Sequence, residues 1–281
     1  MKTYTKKIGK GKEIKQAMNF QKAKGIGWCD ATWNPITGCL GPRGDGARCP
    51  YCYAHKLANG RLKSLYLSNP VVIAGDPNDP FAPRFWQGRL LEPINHKQAA
   101  KIFVCDMGEL FGDWLHPYFI DLVFNAIKQC PQHTFQLLTK QPQNLPKFEY
   151  PDNCWVGVSV THAKMMADAV SNLAVIEAGK RFISFEPLLE PIPVKGLINF
   201  LDWIILGGKS GKDPFYPPLK WIVDIEDTAK EAGIPVFEKS NLVPYPSPKF
   251  LRQEFPASLL ASSNLDPQLR MTAKERSEFV D

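Results

Sequence analysis

The sequence predicts an α/β protein: a partial or irregular parallel β/α barrel of the TIM type, with a basic arm at its N-terminus. Three observations lead there. From Lys101 onward, short apolar runs alternate with amphipathic helical stretches. The runs are nearly continuous in apolar residues, as suits a parallel sheet buried on both faces. They recur at roughly the interval of a βα unit.

A first strand is expected near Gly27–Asn34. Residues 68–95 follow as an irregular insert with Pro70, Pro77, Pro80, Pro83 and Pro93, long enough to serve as a lid. Strands are then expected over Lys101–Asp106, Thr134–Lys140, Asn153–Val160, Arg181–Glu186, Asp202–Gly207 and Pro235–Ser240. Helices are expected over Pro117–Gln129, Ala163–Ala178 and Leu219–Ala232, the last stopped by Gly233. About seven strands make an incomplete barrel, and a doubly wound open sheet is the rival. The expected division is an arm at 1–24, a barrel body at 25–245 and an extension at 246–281.

The chain has 281 residues, 44% of them hydrophobic and 22% charged, enough for a substantial core. No apolar run is long enough to cross a bilayer, and the first residues lack the apolar stretch of a signal peptide, so a cytoplasmic protein without membrane contact is expected. Residues 1–24 carry eight lysines against Glu13 alone, which leaves the rest near neutral. Such an arm suits a polyanion such as nucleic acid, and equally a solvated tail.

Polar residues fall at the C-terminal ends of the expected strands, the edge where α/β folds bind ligands. Asp106 and Glu109 follow the second strand and Lys140 the third. Ser159 and Thr161 follow the fourth, Glu186 the fifth, Gly207 and Gly208 the sixth, and Glu238 and Lys239 the seventh. The cysteine loop follows the first. Cys39, Cys49 and Cys52 form one cluster there, whereas Cys105, Cys130 and Cys154 are scattered as core residues usually are. Structural zinc takes four ligands, and no fourth Cys or His completes a common pattern. An iron–sulfur cluster held by three cysteines keeps one iron open to a small molecule. A thiol redox role rests on Cys49-Pro-Tyr-Cys52 alone, and the third nearby cysteine counts against it.

The segments Gly27–Cys39, Cys49-Pro-Tyr-Cys52-Tyr-Ala54, Phe135–Lys140, Trp155–Val160, Arg181–Leu188 and Asp202–Gly211 resemble the phage-associated three-cysteine-motif family, a domain of unknown function. That family in turn resembles the radical S-adenosylmethionine superfamily, in its spore-photoproduct-lyase-like branch. The resemblance implies a 4Fe–4S cluster on Cys39, Cys49 and Cys52. It implies reductive cleavage of S-adenosylmethionine to a 5′-deoxyadenosyl radical, with electrons from a flavodoxin or ferredoxin. It sets Asp106, Gly108 and Glu109 near the methionine amino group, Ser159 and Thr161 near the ribose, and Gly207 and Gly208 near the adenine. Lys140, Glu186 and Lys239 are left for substrate or the methionyl carboxylate. The gap between Cys39 and Cys49 is longer than usual, Gly41–Gly46 reads as a loop extension, and Lys209 and Cys29 stand where the family more often shows Glu and Thr. A non-catalytic module, stapled by zinc or a cluster and bound to nucleic acid, is the alternative.

Overall fold

The computed structural model describes residues 18–21, 25–242 and 251–257. Most of the basic arm and most of the 246–281 extension lie outside these residues. The chain forms two compact units, Met1–Trp155 and Val156–Asp281. Its architecture is mixed α/β with mostly parallel strands and helices between them.

In the first unit β1 (Asn19–Phe20) runs antiparallel to β2 (Ala31–Trp33). After Pro35 the chain leaves β2, and β3 (Ile36–Thr37) forms a small antiparallel ribbon with β4 (Arg84–Phe85). Between them lie α1 (Tyr53–Asn59) and α2 (Lys63–Leu67), and after them the single turn α3 (Glu92–Asn95). β5 (Lys101–Val104) pairs in parallel with β2, placing Ala31 opposite Ile102. α4 (Pro117–Lys128) then returns the chain to β6 (Thr134–Thr139), parallel to β5 with Lys101 opposite Thr134. The sequence explains α4 well. Pro117 sits in the first turn, His116 accepts the Tyr118 N–H at 3.3 Å, and Ile120, Val123, Phe124 and Ile127 form its buried stripe.

β7 (Cys154–Ser159), buried along its whole length, spans the boundary between the units. The second unit continues with α5 (Met166–Ala174), β8 (Lys180–Phe185), β9 (Trp203–Leu206), α6 (Leu219–Glu231) and β10 (Val236–Glu238). β8, β9 and β10 are parallel neighbours, with Phe182 opposite Trp203 and Ile204 opposite Val236. α6 ends as expected: Ile234 N–H bonds Ala229 O at 2.8 Å and Gly233 N–H bonds Lys230 O at 3.2 Å. α5 stops at Ala174, short of the expected 178, and Ile176 reaches the core from non-helical backbone. The core of this unit centres on Trp203, packed by Phe182, Phe237 and Phe255, with its Nε1–H bonded to Glu254 O at 2.8 Å.

Residues 251–255 cover the open edge of β10. Glu238 N–H donates to Arg252 O at 2.6 Å and Glu254 N–H to Val236 O at 3.0 Å. The Glu238 carboxylate accepts the Arg252 N–H, so it serves this edge and does not join Lys239. Successive strand residues face opposite ways, which separates the two.

The proline-rich insert is less irregular than its composition suggests. Arg84 is fully buried, and its guanidinium donates to Pro77 O, Asp79 O, Ala82 O and Asn69 O at 2.6–3.3 Å. One side chain thus supplies a donor to four carbonyls of the insert, of which Asp79 O also accepts the Ala82 N–H at 3.1 Å. Of the aromatic residues, Trp28, Trp33, Phe85 and Trp86 are buried as packing elements. Among the described residues, no helix is long and apolar enough to cross a membrane.

Candidate functional site

The cysteine loop begins where β3 ends, at Gly38. A side chain cannot be placed there: φ is +88°, and a Cβ would lie 2.4 Å from Ala82 O. This lets Gly38 thread between two segments. Its N–H donates to Met107 O at 2.9 Å, and its O accepts the Glu109 N–H at 3.1 Å. The loop is therefore stitched to Met107-Gly108-Glu109, at the C-terminal edge of the parallel strands β2, β5 and β6. On its other side, Cys39 N–H donates to Phe81 O at 3.1 Å, so the insert forms a wall of the site. Arg48, paired with Asp79 at 2.5 Å, ties the loop to that wall again.

Cys39, Cys49 and Cys52 are all half-buried. Cys39 Sγ accepts the Gly41 N–H at 3.1 Å. Cys52 Sγ accepts the His55 N–H at 3.3 Å and so caps α1. Cys39 and Cys52 pack against Ala54, Tyr66, Phe81, Trp86 and Met107. Burial pushes the Cys39 thiol up to about 12, with Glu109 and the other two cysteines adding to the effect and the Gly41 N–H opposing it. Burial also raises Cys52, against the His55 N–H and the Lys140 charge.

Glu109 is buried and fully engaged. Oε1 accepts the Phe111 N–H at 3.0 Å and the Thr139 hydroxyl at 2.7 Å, and Oε2 accepts the Lys140 N–H at 3.1 Å. Burial raises its carboxyl, and these three bonds resist the rise. Lys140 is half-buried. Burial alone would lower its ammonium, but Tyr51, Cys49, Glu109 and Cys52 raise it above its ordinary value. Asp106 Oδ1 accepts Asn34 Nδ2 at 2.6 Å, and the Tyr53 hydroxyl donates to Asp106 O at 2.6 Å. Burial comes first in raising the Asp106 carboxyl, with Asn34, Thr32 and Tyr53 holding it down. The first unit thus brings Cys39, Cys49, Cys52, Asp106, Gly108, Glu109 and Lys140 to one edge.

In the second unit Glu186, Gly207, Gly208 and Lys239 meet at the C-terminal ends of β8, β9 and β10. Glu186 and Lys239 form a half-buried ion pair. A Cβ on Gly207 would sit 2.9 Å from Glu186 Cγ, so the glycine is what lets the carboxylate lie against the strand end. Asn241 clamps the following turn, donating to Gly208 O and Ser210 Oγ, each at 2.8 Å. Ser159 and Thr161 are buried, and the Thr161 hydroxyl lies 2.9 Å from His162 Nδ1.

Sequence reasoning missed Asn34, Thr139 and Asn241, which act by holding other site residues. A weak signal existed for Asn34, which precedes a proline at a strand end. Thr139 and Asn241 carried none.

Three sulfurs from one loop, two of them accepting backbone N–H bonds, are donors suited to a thiophilic metal or an iron–sulfur cluster. Their donor type and neighbourhood fit such a group. Among the described residues, however, no three His, Cys, Asp or Glu side chains are drawn close enough together to hold a metal ion. No curated protein and no solved structure matches the chain. Residues 23–242 match the family described as protein of unknown function, DUF5131, and the chain belongs to that family.

Proposed function

We propose that this protein is an iron–sulfur enzyme of the radical S-adenosylmethionine type, built on a partial parallel β/α barrel and acting on nucleic acid or a nucleotide. The observation that carries the reading is the stitching of the three-cysteine loop to Met107-Gly108-Glu109 through Gly38, with Lys140 beside Cys49 and Cys52. Sulfur donors, a buried carboxylate and the Lys140 ammonium share one strand edge. Cys39, Cys49 and Cys52 would hold a 4Fe–4S cluster, which would supply one electron, received from a flavodoxin or ferredoxin, for reductive cleavage of S-adenosylmethionine to methionine and a 5′-deoxyadenosyl radical.

The chain's own residues bind and orient. The Gly41 and His55 N–H groups bond the sulfurs of Cys39 and Cys52 and so offset part of the burial that raises both thiols. Gly108 keeps the backbone close to Gly38, and Asp106 presents a carboxylate for an amino group, while Glu109, held by Phe111, Thr139 and Lys140, fixes the backbone around it. Glu109 fixes the Lys140 backbone, and the Lys140 ammonium offers a contact for a carboxylate. Glu186 and Lys239, a charge pair on the second unit, serve substrate. Ser159, Thr161, Gly207 and Gly208 line strand ends suited to a nucleoside.

The test is anaerobic reconstitution with iron and sulfide of the wild type and of C39A, C49A and C52A. The wild type should hold about four irons, and each variant should lose them while keeping its circular dichroism. Full iron in Cys49→Ala would remove the three-cysteine assignment, and one tightly held zinc in the wild type would favour a stapled binding module.

A further inference from the structure

We propose that the α1–α2 hairpin, which starts at Cys52, binds the backbone of single-stranded nucleic acid through Lys56, Arg61 and Lys63, with the Tyr53 ring at the start of the same hairpin. Residues 47–75 hold four basic side chains and no carboxylate. One of the four, Arg48, is paired with Asp79. The side chains of the other three are exposed and have no ion-pair or hydrogen-bond partner among the described residues.

Lys56 lies in the last turn of α1, where a cation complements the carbonyl end of a helix. That accounts for one charge and leaves Arg61 and Lys63. The joint between the helices is tight: Leu62 N–H bonds Leu57 O at 3.0 Å and Lys63 N–H bonds Gly60 O at 3.1 Å. All three cations therefore belong to one compact turn. Tyr53 is half exposed, and its hydroxyl is fixed on Asp106 O at 2.6 Å. A held aromatic ring on the same hairpin as unneutralised cations suits a single strand: charges track phosphates, and the ring stacks on a base of any sequence. From Cys52 to Gly60 a helix rises about 12 Å, so a strand held at the joint has its next nucleotides within reach of the cysteine loop. A polyanion suits the chain better than a compact acidic protein, because unbalanced lysines recur in residues 1–24 while the rest is near neutral. As a surface the inference stands on charge and geometry; as the substrate class it rests on the function proposed above.

The probe is a labelled, mixed-sequence single-stranded oligonucleotide about 15 nucleotides long, followed by fluorescence anisotropy at several salt concentrations with the full-length protein. The K56E/R61E/K63E variant should bind at least tenfold more weakly at about 100 mM salt, with a salt slope shallower by about 2. The milder K56Q/R61Q/K63Q variant replaces it if the reversal disturbs folding. Tyr53→Leu should weaken binding about fivefold or more without changing the slope. Unchanged affinity and slope in the charge variants overturn the proposal. So does weakened binding of an acidic electron-donor protein with oligonucleotide binding intact. Iron and 5′-deoxyadenosine measured on the same preparations keep the two readings apart. Normal cleavage with unaltered oligonucleotide binding removes only the surface. Absent iron with weakened binding in the variants removes only the radical chemistry and supports the surface.

Discussion

Lys140 and Glu109 show how one backbone contact divides two roles. Glu109 spends its carboxylate on Phe111, Thr139 and the Lys140 N–H, which leaves the Lys140 ammonium among Tyr51 and the thiols. Lys140→Gln should therefore keep iron binding and weaken S-adenosylmethionine about tenfold, measured by equilibrium dialysis, since a charge-assisted contact is lost. Loss of iron instead would make Lys140 part of the loop's support. Away from the site, burial raises the Glu92 carboxyl from 4.5 to about 7, with Arg89 opposing. Because the folded value is the higher one, the native state holds the proton longer. Stability is then greatest below about 4.5 and falls as pH rises through about 7. Such a shift corresponds to at most about 3 kcal/mol, less after solvent screening at a half-buried site. Glu92→Gln should raise the melting temperature at pH 8 and leave it nearly unchanged at pH 4, read by thermal melts. The cysteines and Glu109 were legible in the sequence because few other roles need those residue types so close together. Asn34, Thr139 and Asn241 were not, because their work is a hydrogen bond to a group that only the folded chain brings near.

Strands were the most legible elements. Buried parallel strands must be apolar on both faces, so β5 to β10 announce themselves as runs of Val, Ile, Leu, Phe and Trp. The ribbon of β3 and β4 was hidden, since each strand is two residues long and they meet across the whole hairpin and insert. The insert itself reads as loop by composition, yet Arg84 makes it a fixed wall against which Cys39 is held. Replacing Arg84 by Met would take the donor from the Asn69, Pro77 and Ala82 carbonyls in a dry interior, at a cost of about 3 kcal/mol or more. The melting temperature should fall, protease should cut first within residues 70–83, and Cys39 should react faster with a thiol reagent. A variant that melts lower while Cys39 reacts as before would separate the insert from the site. α1 and α2 were missed because helices of seven and five residues carry too little periodicity to detect.

For the molecule as a whole, the mixed α/β class and the polar C-terminal strand ends were visible because both follow from a repeated βα pattern. The arrangement of thiols was not, because nothing in a sequence sets side-chain rotamers in a glycine-rich loop. The family match over residues 23–242 includes the cysteine loop, the Met107-Gly108-Glu109 segment and the Glu186 and Lys239 strand ends, and the family's description names no chemistry for them. The most direct measurement is made on anaerobically purified full-length protein: iron and sulfide content, followed by product analysis after S-adenosylmethionine and a strong reductant are added. The account predicts about four irons and the release of 5′-deoxyadenosine, abolished in Cys49→Ala. Protein that binds a full cluster and S-adenosylmethionine yet yields no 5′-deoxyadenosine, or that takes up zinc in place of iron, would contradict it.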